Sequence, residues 1–288
     1  MSSRIDMATE IESKPARVFE ALIRAPELEQ WFAERAYVSE TDGSFDFWGR
    51  HTPGNPDREA GRHSLVALER DRRIAFRWTV RGTSTTVEIA LAPSGQGTKL
   101  TLRHDAPPRD AHEMSLADFW LLSLENLRRF VDEGKAPMLC DYSTTPRGGV
   151  ELVVDIEAPP AAVFGALSHP DSIDRWMQAK STVDLRAGGR IDFGWGSGGP
   201  VRILSIVPNE KLSYGWAYGE DPETIVTWTL EGSGTRPSTR LTLVHSGFGE
   251  RDVEDFRTGW LKHLAWMKAL VEKKGAWVAP ANLGGHDA

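Results

Sequence analysis

The side chains able to do acid–base or hydrogen-bond chemistry in an apolar setting are few, and they come in pairs. His104 ends the alternation Leu100, Leu102, His104, and His245 ends Leu241, Leu243, His245, so strand periodicity turns both imidazoles toward the apolar face. Ser123 and His263 stand three residues after Trp120 and Trp260, inside otherwise apolar helical stripes. A polar group on a buried face needs a partner, from the protein or from a ligand. A neutral imidazole offers one donor and one acceptor, which suits it to orienting a carbonyl or hydroxyl; near neutral pH it also serves as general acid or base. Burial without a carboxylate lowers its pKa and favours the neutral, orienting role. Asp46 and Asp192 alternate outward from their apolar neighbours, so pattern places no carboxylate beside either strand histidine and no catalytic residue is assigned. His245 and His263 are expected to face inward within a side chain's length of each other. The alternative for each site is plain core filling: a histidine bonded inside the core, or a helix serine bonded to its own backbone.

Other chemistries lack their residues. The eight histidines contain no HExxH or comparable pair, and His51 with His63 reads as exposed loop chemistry, so no metal site is expected. The glycine-rich stretch Gly194 to Gly199 joins two strands and opens no helix, so it reads as a hairpin and not a phosphate cradle. No Gly-x-Ser-x-Gly elbow occurs, and no cofactor is expected. The single cysteine, Cys140, rules out a disulfide framework and fits a reducing cytoplasm. With Lys+Arg 34 against Asp+Glu 41, the net charge of -7 argues against nucleic acid as a partner. The N-terminal stretch meets charge every few residues and no run approaches a membrane span, so neither a signal peptide nor membrane association is expected.

The elements that position these residues occur twice. Ile11-Glu12, Pro15-Ala16, Val18-Phe19, Ala21-Leu22 and Trp31 match Ile156-Glu157, Pro160-Ala161, Val163-Phe164, Ala166-Leu167 and Trp176 at an offset of 145. Phe45-Asp46-Phe47 meets Ile191-Asp192-Phe193 at 146, Trp78 meets Trp216 at 138, and Trp120-Leu121 meets Trp260-Leu261 at 140. A period near 140 residues matches a whole domain and not a solenoid unit. The expected organisation is a first module over residues 1–134, a linker from Lys135 to Gly149 that holds Cys140, a second module over 150–277, and a disordered tail over 278–288.

Each module reads as an amphipathic strand, two short helices entered by prolines, a run of antiparallel strands and a long closing helix, Ser115 to Glu133 or Asp252 to Lys274. This is an α+β layout in which a curved sheet wraps the last helix. Alternation puts Ile74, Phe76, Trp78 and Val80 on one face, and Leu212, Tyr214, Trp216 and Tyr218 on its counterpart. Leu116, Trp120, Leu124, Leu127 and Val131, or Phe256, Trp260, Leu264, Met267 and Val271, form the helical stripe opposite. These rings either fill a core or line an apolar cleft with a few polar points.

The run Ile156-Glu157-Ala158-Pro159, Val163-Phe164, Trp176, Gly188-Gly189-Arg190, Leu212-Ser213-Tyr214-Gly215-Trp216, Thr239 to His245 and Gly259-Trp260 resembles the START-like (SRPBCC) superfamily. Within it, the sequence is most similar to bacterial proteins related to the C-terminal domain of the Hsp90 ATPase activator. Module one departs by Phe119-Trp120 in place of Gly-Trp and by about eight extra residues in the Gly49 to Gly61 loop. The resemblance implies two tandem helix-grip domains, each with a hydrophobic cavity under the long helix. The expected ligand-binding residues are Trp176, Phe193, Tyr214, Trp216, Trp228, His245, Trp260, His263 and Leu264, with Phe76, Trp78, His104, Trp120, Ser123 and Leu124 in module one. Three classes of function follow: binding of a small apolar or aromatic molecule; a cyclase, dehydratase or hydrolase using a pocket histidine; or a protein-interaction module, including a chaperone regulator. The first is preferred. The activator's separate N-terminal client domain has no counterpart here.

Overall fold

The computed structural model describes residues 4–105, 107, 113–135, 137–195, 199–217, 223–234, 236–274 and 276–283, with backbone only for 113–115. The chain forms two compact units, residues 1–144 with 280–287 and residues 145–279.

In the first unit, strand β1 (Arg4–Ile11) buries alternate residues and is followed by α1 (Pro15–Ile23) and α2 (Ala25–Trp31). Pro15 occupies the first turn of α1, where the absent N–H costs nothing, and Val18, Phe19, Ala21 and Leu22 form its buried face. Arg24 is extended, ending α1 and capping α2, whose first turn holds Pro26. Next come β2 (Arg35–Ser39), β3 (Ser44–Trp48), β4 (Leu65–Glu69), β5 (Arg73–Val80), β6 (Thr83–Ser94), β7 (Gly97–Asp105) and the long helix α3 (Glu113–Glu133). The second unit repeats this order as β8 (Gly149–Ile156), α4 (Pro160–Ser168), α5 (Pro170–Met177), β9 (Thr182–Val183), β10 (Arg190–Asp192), β11 (Val201–Val207), β12 (Lys211–Trp216), β13 (Thr224–Gly232), β14 (Thr239–Ser246) and α6 (Glu254–Glu272). A two-residue strand, β15 (Ala281–Asn282), pairs with β1.

The main sheets are antiparallel, ordered β15-β1-β7-β6-β5-β4 and β8-β14-β13-β12-β11-β10-β9, while β2 and β3 pair separately. The first strand of each unit therefore lies beside the last, next to the long helix. Bulges fall at equivalent places, Leu65/Ala67 and Ile203/Ser205, where an extra residue bends each sheet. The faces expected to be apolar are so: Ile74, Phe76, Trp78, Val80, Leu212 and Tyr214 are buried. Tyr218 lies outside the described residues.

Several features differ from the sequence expectation. The strand expected from Arg190 to Trp195 stops at Asp192, because Gly194 has φ +78° and a side chain there would collide with the Lys180 carbonyl. Lys135 to Gly149 is no free linker. Met138 exchanges two 2.9 Å hydrogen bonds with the Asn126 side chain, Cys140 is buried and accepts from His51 Nδ1 at 2.9 Å, and the Tyr142 N–H donates to Arg50. Part of the expected disordered tail is the strand β15.

Candidate functional site

A hydrogen-bonded chain of the same four members crosses each unit. Trp120 on α3 donates its indole N–H to His104 Nδ1 at 3.0 Å, and His104 Nε2 lies 2.7 Å from Thr85 Oγ1. Thr85 then donates to the Trp78 carbonyl at 2.7 Å. In the second unit Trp260 meets His245 Nδ1 at 2.9 Å, His245 Nε2 meets Thr224 Oγ1 at 2.8 Å, and Thr224 donates to the Trp216 carbonyl at 3.0 Å. An indole only donates and a carbonyl only accepts, so the chain has one direction: each imidazole is neutral, with its proton on Nε2. Burial lowers both imidazoles to a pKa of about 4, the direction expected. Both nitrogens of each ring are thereby engaged inside the protein. His104 and His245 tie the last strand to the long helix, and neither offers a ligand a free nitrogen.

The remaining polar points differ between the units. Trp78 Nε1 donates to Asn55 Oδ1 at 2.6 Å, and Asn55 is held from the other side by donating to the Ala60 carbonyl at 2.8 Å and the Thr79 carbonyl at 3.3 Å. The long loop that sets module one apart thus folds over the sheet and closes it with a buried amide. Ser123 bonds back to the Phe119 carbonyl at 2.8 Å, the plain helical-serine outcome. Phe76 is buried where the second unit has Tyr214, and Leu124 is buried in the core.

In the second unit these positions stay open. Trp216 is half-buried, and its indole N–H has no partner among the described residues. His263 is half-buried; its Nδ1 donates to the Trp176 carbonyl at 3.1 Å, which leaves Nε2 an acceptor with no partner among the described residues. Desolvation first, then the neighbouring charge of Lys262, pushes His263 well below the usual imidazole range. Tyr214 is buried and accepts from Trp228 Nε1 at 3.0 Å, leaving its own O–H free to donate; burial raises its pKa, so it stays a neutral phenol. Trp195 adjoins Phe193, Trp216 and His263. Trp195 stacks on Phe193 at 5.5 Å and on His263 at 6.0 Å and meets Trp216 edge-on at 5.8 Å, while the residue remains 41% exposed.

His245 and His263 do not form the expected pair: Trp260 lies against both, with ring centroids 5.9 and 6.2 Å away. Trp176, Trp228 and Leu264 are fully buried in the core of the second unit. Two further expectations are corrected. Asp46 is buried and accepts the His63 N–H at 2.9 Å, because residues 61–63 run alongside β3 on a face that alternation alone would leave in solvent. His63, expected on an exposed loop, packs its ring 4.3 Å from Phe47, with neither nitrogen bonded and its pKa pushed down to about 4 by burial. Sequence reasoning missed Thr85, Thr224, Asn55 and Trp195. The first two carried a usable signal, since each threonine sits directly opposite the repeated tryptophan in its ladder. Among the described residues, no three His, Cys, Asp or Glu side chains cluster to hold a metal ion, and no helix is long and apolar enough to cross a membrane.

Two sheets, each paired with a long closing helix and two short ones, define a tandem helix-grip protein. A model of the Activator of Hsp90 ATPase homolog 1-like protein family matches residues 12–132 and 157–272, and the chain belongs to that family. Membership supports a ligand-binding or regulatory role. Among solved structures, CalU16 from Micromonospora echinospora is 27% identical over 44% of this chain and 77% of its own, with a TM-score of 0.39. DynU16, a putative protein in the dynemicin biosynthetic locus, is 17% identical over 94% of this chain and 98% of its own, with a TM-score of 0.37. PFC0360w, an HSP90 activator from Plasmodium falciparum, is 22% identical over 39% of this chain and 86% of its own, with a TM-score of 0.36. No curated protein matches the chain.

Proposed function

We propose that the second unit binds a small aromatic molecule carrying a hydroxyl or carbonyl group, and that the first unit is a closed copy kept for its structure. The observation that carries this reading is the contrast at equivalent positions. Trp78 and Ser123 are saturated by Asn55 and the Phe119 carbonyl, whereas Trp216 Nε1–H and His263 Nε2 have no partner among the described residues and stand beside a part-exposed Trp195. An indole donor, a phenol donor and an imidazole acceptor around aromatic faces match a flat ligand with one polar edge. His263 is a weak base, because its surroundings oppose protonation, which favours orientation of a ligand over proton abstraction. The chaperone-regulator alternative rests on the family's name.

The test is titration of 15N-labelled protein with 2-naphthol, a neutral aromatic alcohol, following the indole N–H resonances. The Trp216 signal, assigned with Trp216→Phe, should shift saturably while that of Trp78 stays in place. His263→Ser, which installs the module-one residue, should weaken binding several-fold. A Trp216 signal unmoved up to the solubility of the probe, or His263→Ser binding as wild type, would remove the ligand-binding reading and leave these rings as packing.

A further inference from the structure

On the opposite, solvent-facing side of the second sheet, Arg190 of β10 and Arg202 of β11 are direct cross-strand partners, and both are exposed. Their neighbours Ile191 and Val201 point into the core, so alternation puts both guanidinium groups on the outer face. Like charges directly opposite destabilise a strand pair, by the same cross-strand proximity that makes opposite charges favourable. Elsewhere strand arginines face carboxylates across their ladders: Arg73 with Glu88 at 2.6 Å, Arg103 with Asp6 at 3.3 Å and Arg240 with Asp155 at 3.4 Å. Arg190 and Arg202 have no carboxylate or other side-chain partner among the described residues, in a chain whose net charge is -7.

The first unit shows what this place looks like without that charge. The equivalent bridge is Ser44 opposite Ser64, and the position equivalent to Gly215 is Arg77. In the second unit arginines stand at the two serine positions, and on the next strand a glycine stands at the position of Arg77, its missing side chain leaving room for the Glu223 carboxylate. The result is an open groove of about 460 Å³ lined by Arg190, Arg202, Gly215 and Glu223, with Gly188 and Pro200 beside them.

We propose that this groove is an anion site in which Arg190 and Arg202 together grip one phosphate or carboxylate group. A guanidinium donates two parallel N–H bonds to such a group, and an anion held by two guanidinium groups facing the same space supplies the countercharge that the strand pairing lacks. Glu223 sets the specificity: its carboxylate accepts a hydrogen bond from a hydroxyl or ammonium next to the anionic group and repels a second anion there. The site lies on the outer face of the sheet and is independent of the aromatic site on its inner face.

The experiment is an NMR titration of the full chain with inorganic phosphate and with succinate, at constant ionic strength set by chloride. Amides of residues 190–192, 201–203 and 215 should shift saturably with at least one of the two anions, which also identifies the preferred group. Arg190→Ser and Arg202→Ser, which restore the module-one residues, should each weaken binding at least tenfold, while Arg77→Ser in the first unit should leave it unchanged. Because the substitutions relieve a like-charge pair, both variants should be at least as stable as wild type, so lost binding reports the site and not unfolding. A response that tracks ionic strength without saturating, or an Arg190→Ser/Arg202→Ser double variant that binds as wild type, would overturn the proposal.

Discussion

Replacing His245 by Gln isolates one imidazole in the strand-to-helix chain without breaking the chain. A glutamine oxygen accepts from Trp260 and its amide donates to Thr224, the two roles His245 fills at 2.9 and 2.8 Å, but glutamine does not titrate. In the folded protein His245 has a pKa of about 4, against about 6.5 in an unfolded chain, so between those values the unfolded state binds more protons and stability falls as the pH falls. Integrating that linkage gives a loss of roughly 2 kcal/mol at pH 5 and about 3 kcal/mol at pH 4, and almost none above pH 7. Hydrogen exchange read on peptides of β13 and β14 reports the second unit separately from the first. Wild type should lose about 2 kcal/mol more than His245→Gln between pH 8 and pH 5 in those peptides, with no difference between the two proteins in peptides of β6 and β7. Equal losses in β13 and β14 would mean that the ring is not held neutral by burial, and the directed hydrogen-bond chain through it would be wrong.

Three further substitutions probe the same architecture. Thr85→Val keeps the shape but orphans the buried His104 Nε2–H and the Trp78 carbonyl, and should cost the first unit about 3 kcal/mol in chemical denaturation. Asn55→Ala removes the acceptor of the Trp78 indole; it should destabilise the first unit by about 2 kcal/mol and make the Trp78 N–H resonance respond to 2-naphthol as that of Trp216 does. Gly194→Ala, at φ +78° and against the Lys180 carbonyl, should lower the melting temperature of the second unit by an amount corresponding to more than about 1 kcal/mol, whereas Gly234→Ala, with open space around it, should be nearly silent.

Much of this protein is legible in the one-dimensional pattern. The repeat, the two short proline-entered helices, the run of antiparallel strands and the burial of Trp78, Trp120 and Trp260 follow from periodicities of two and 3.6 residues, and these are properties of neighbours along the chain. Periodicity also turns His104 and His245 inward, where they lie. It is silent on what they meet there. A hydrogen bond is made or lost within a few tenths of an ångström and a few tens of degrees. The partners that saturate these rings come from 15 to 21 residues away, on a neighbouring strand and on the helix across the sheet.

The same limit explains the other departures. Asp46 alternates outward and His63 stands in a loop, yet both are buried, because the chain after the Gly49 to Gly61 loop returns along β3 and puts the His63 N–H on the Asp46 carboxylate, and loop placement has no period. Asn55, an unremarkable loop residue in the sequence, closes the first unit by reaching the Trp78 indole 23 residues on. Composition and repeat determined that this chain would fold as two related α+β units with aromatic interiors. Only the tertiary structure decided that Trp78 and Ser123 find partners in the first unit while Trp216, Tyr214 and His263 each keep a hydrogen-bonding group without one among the described residues of the second, because that difference rests on a few directional contacts between residues far apart in the chain.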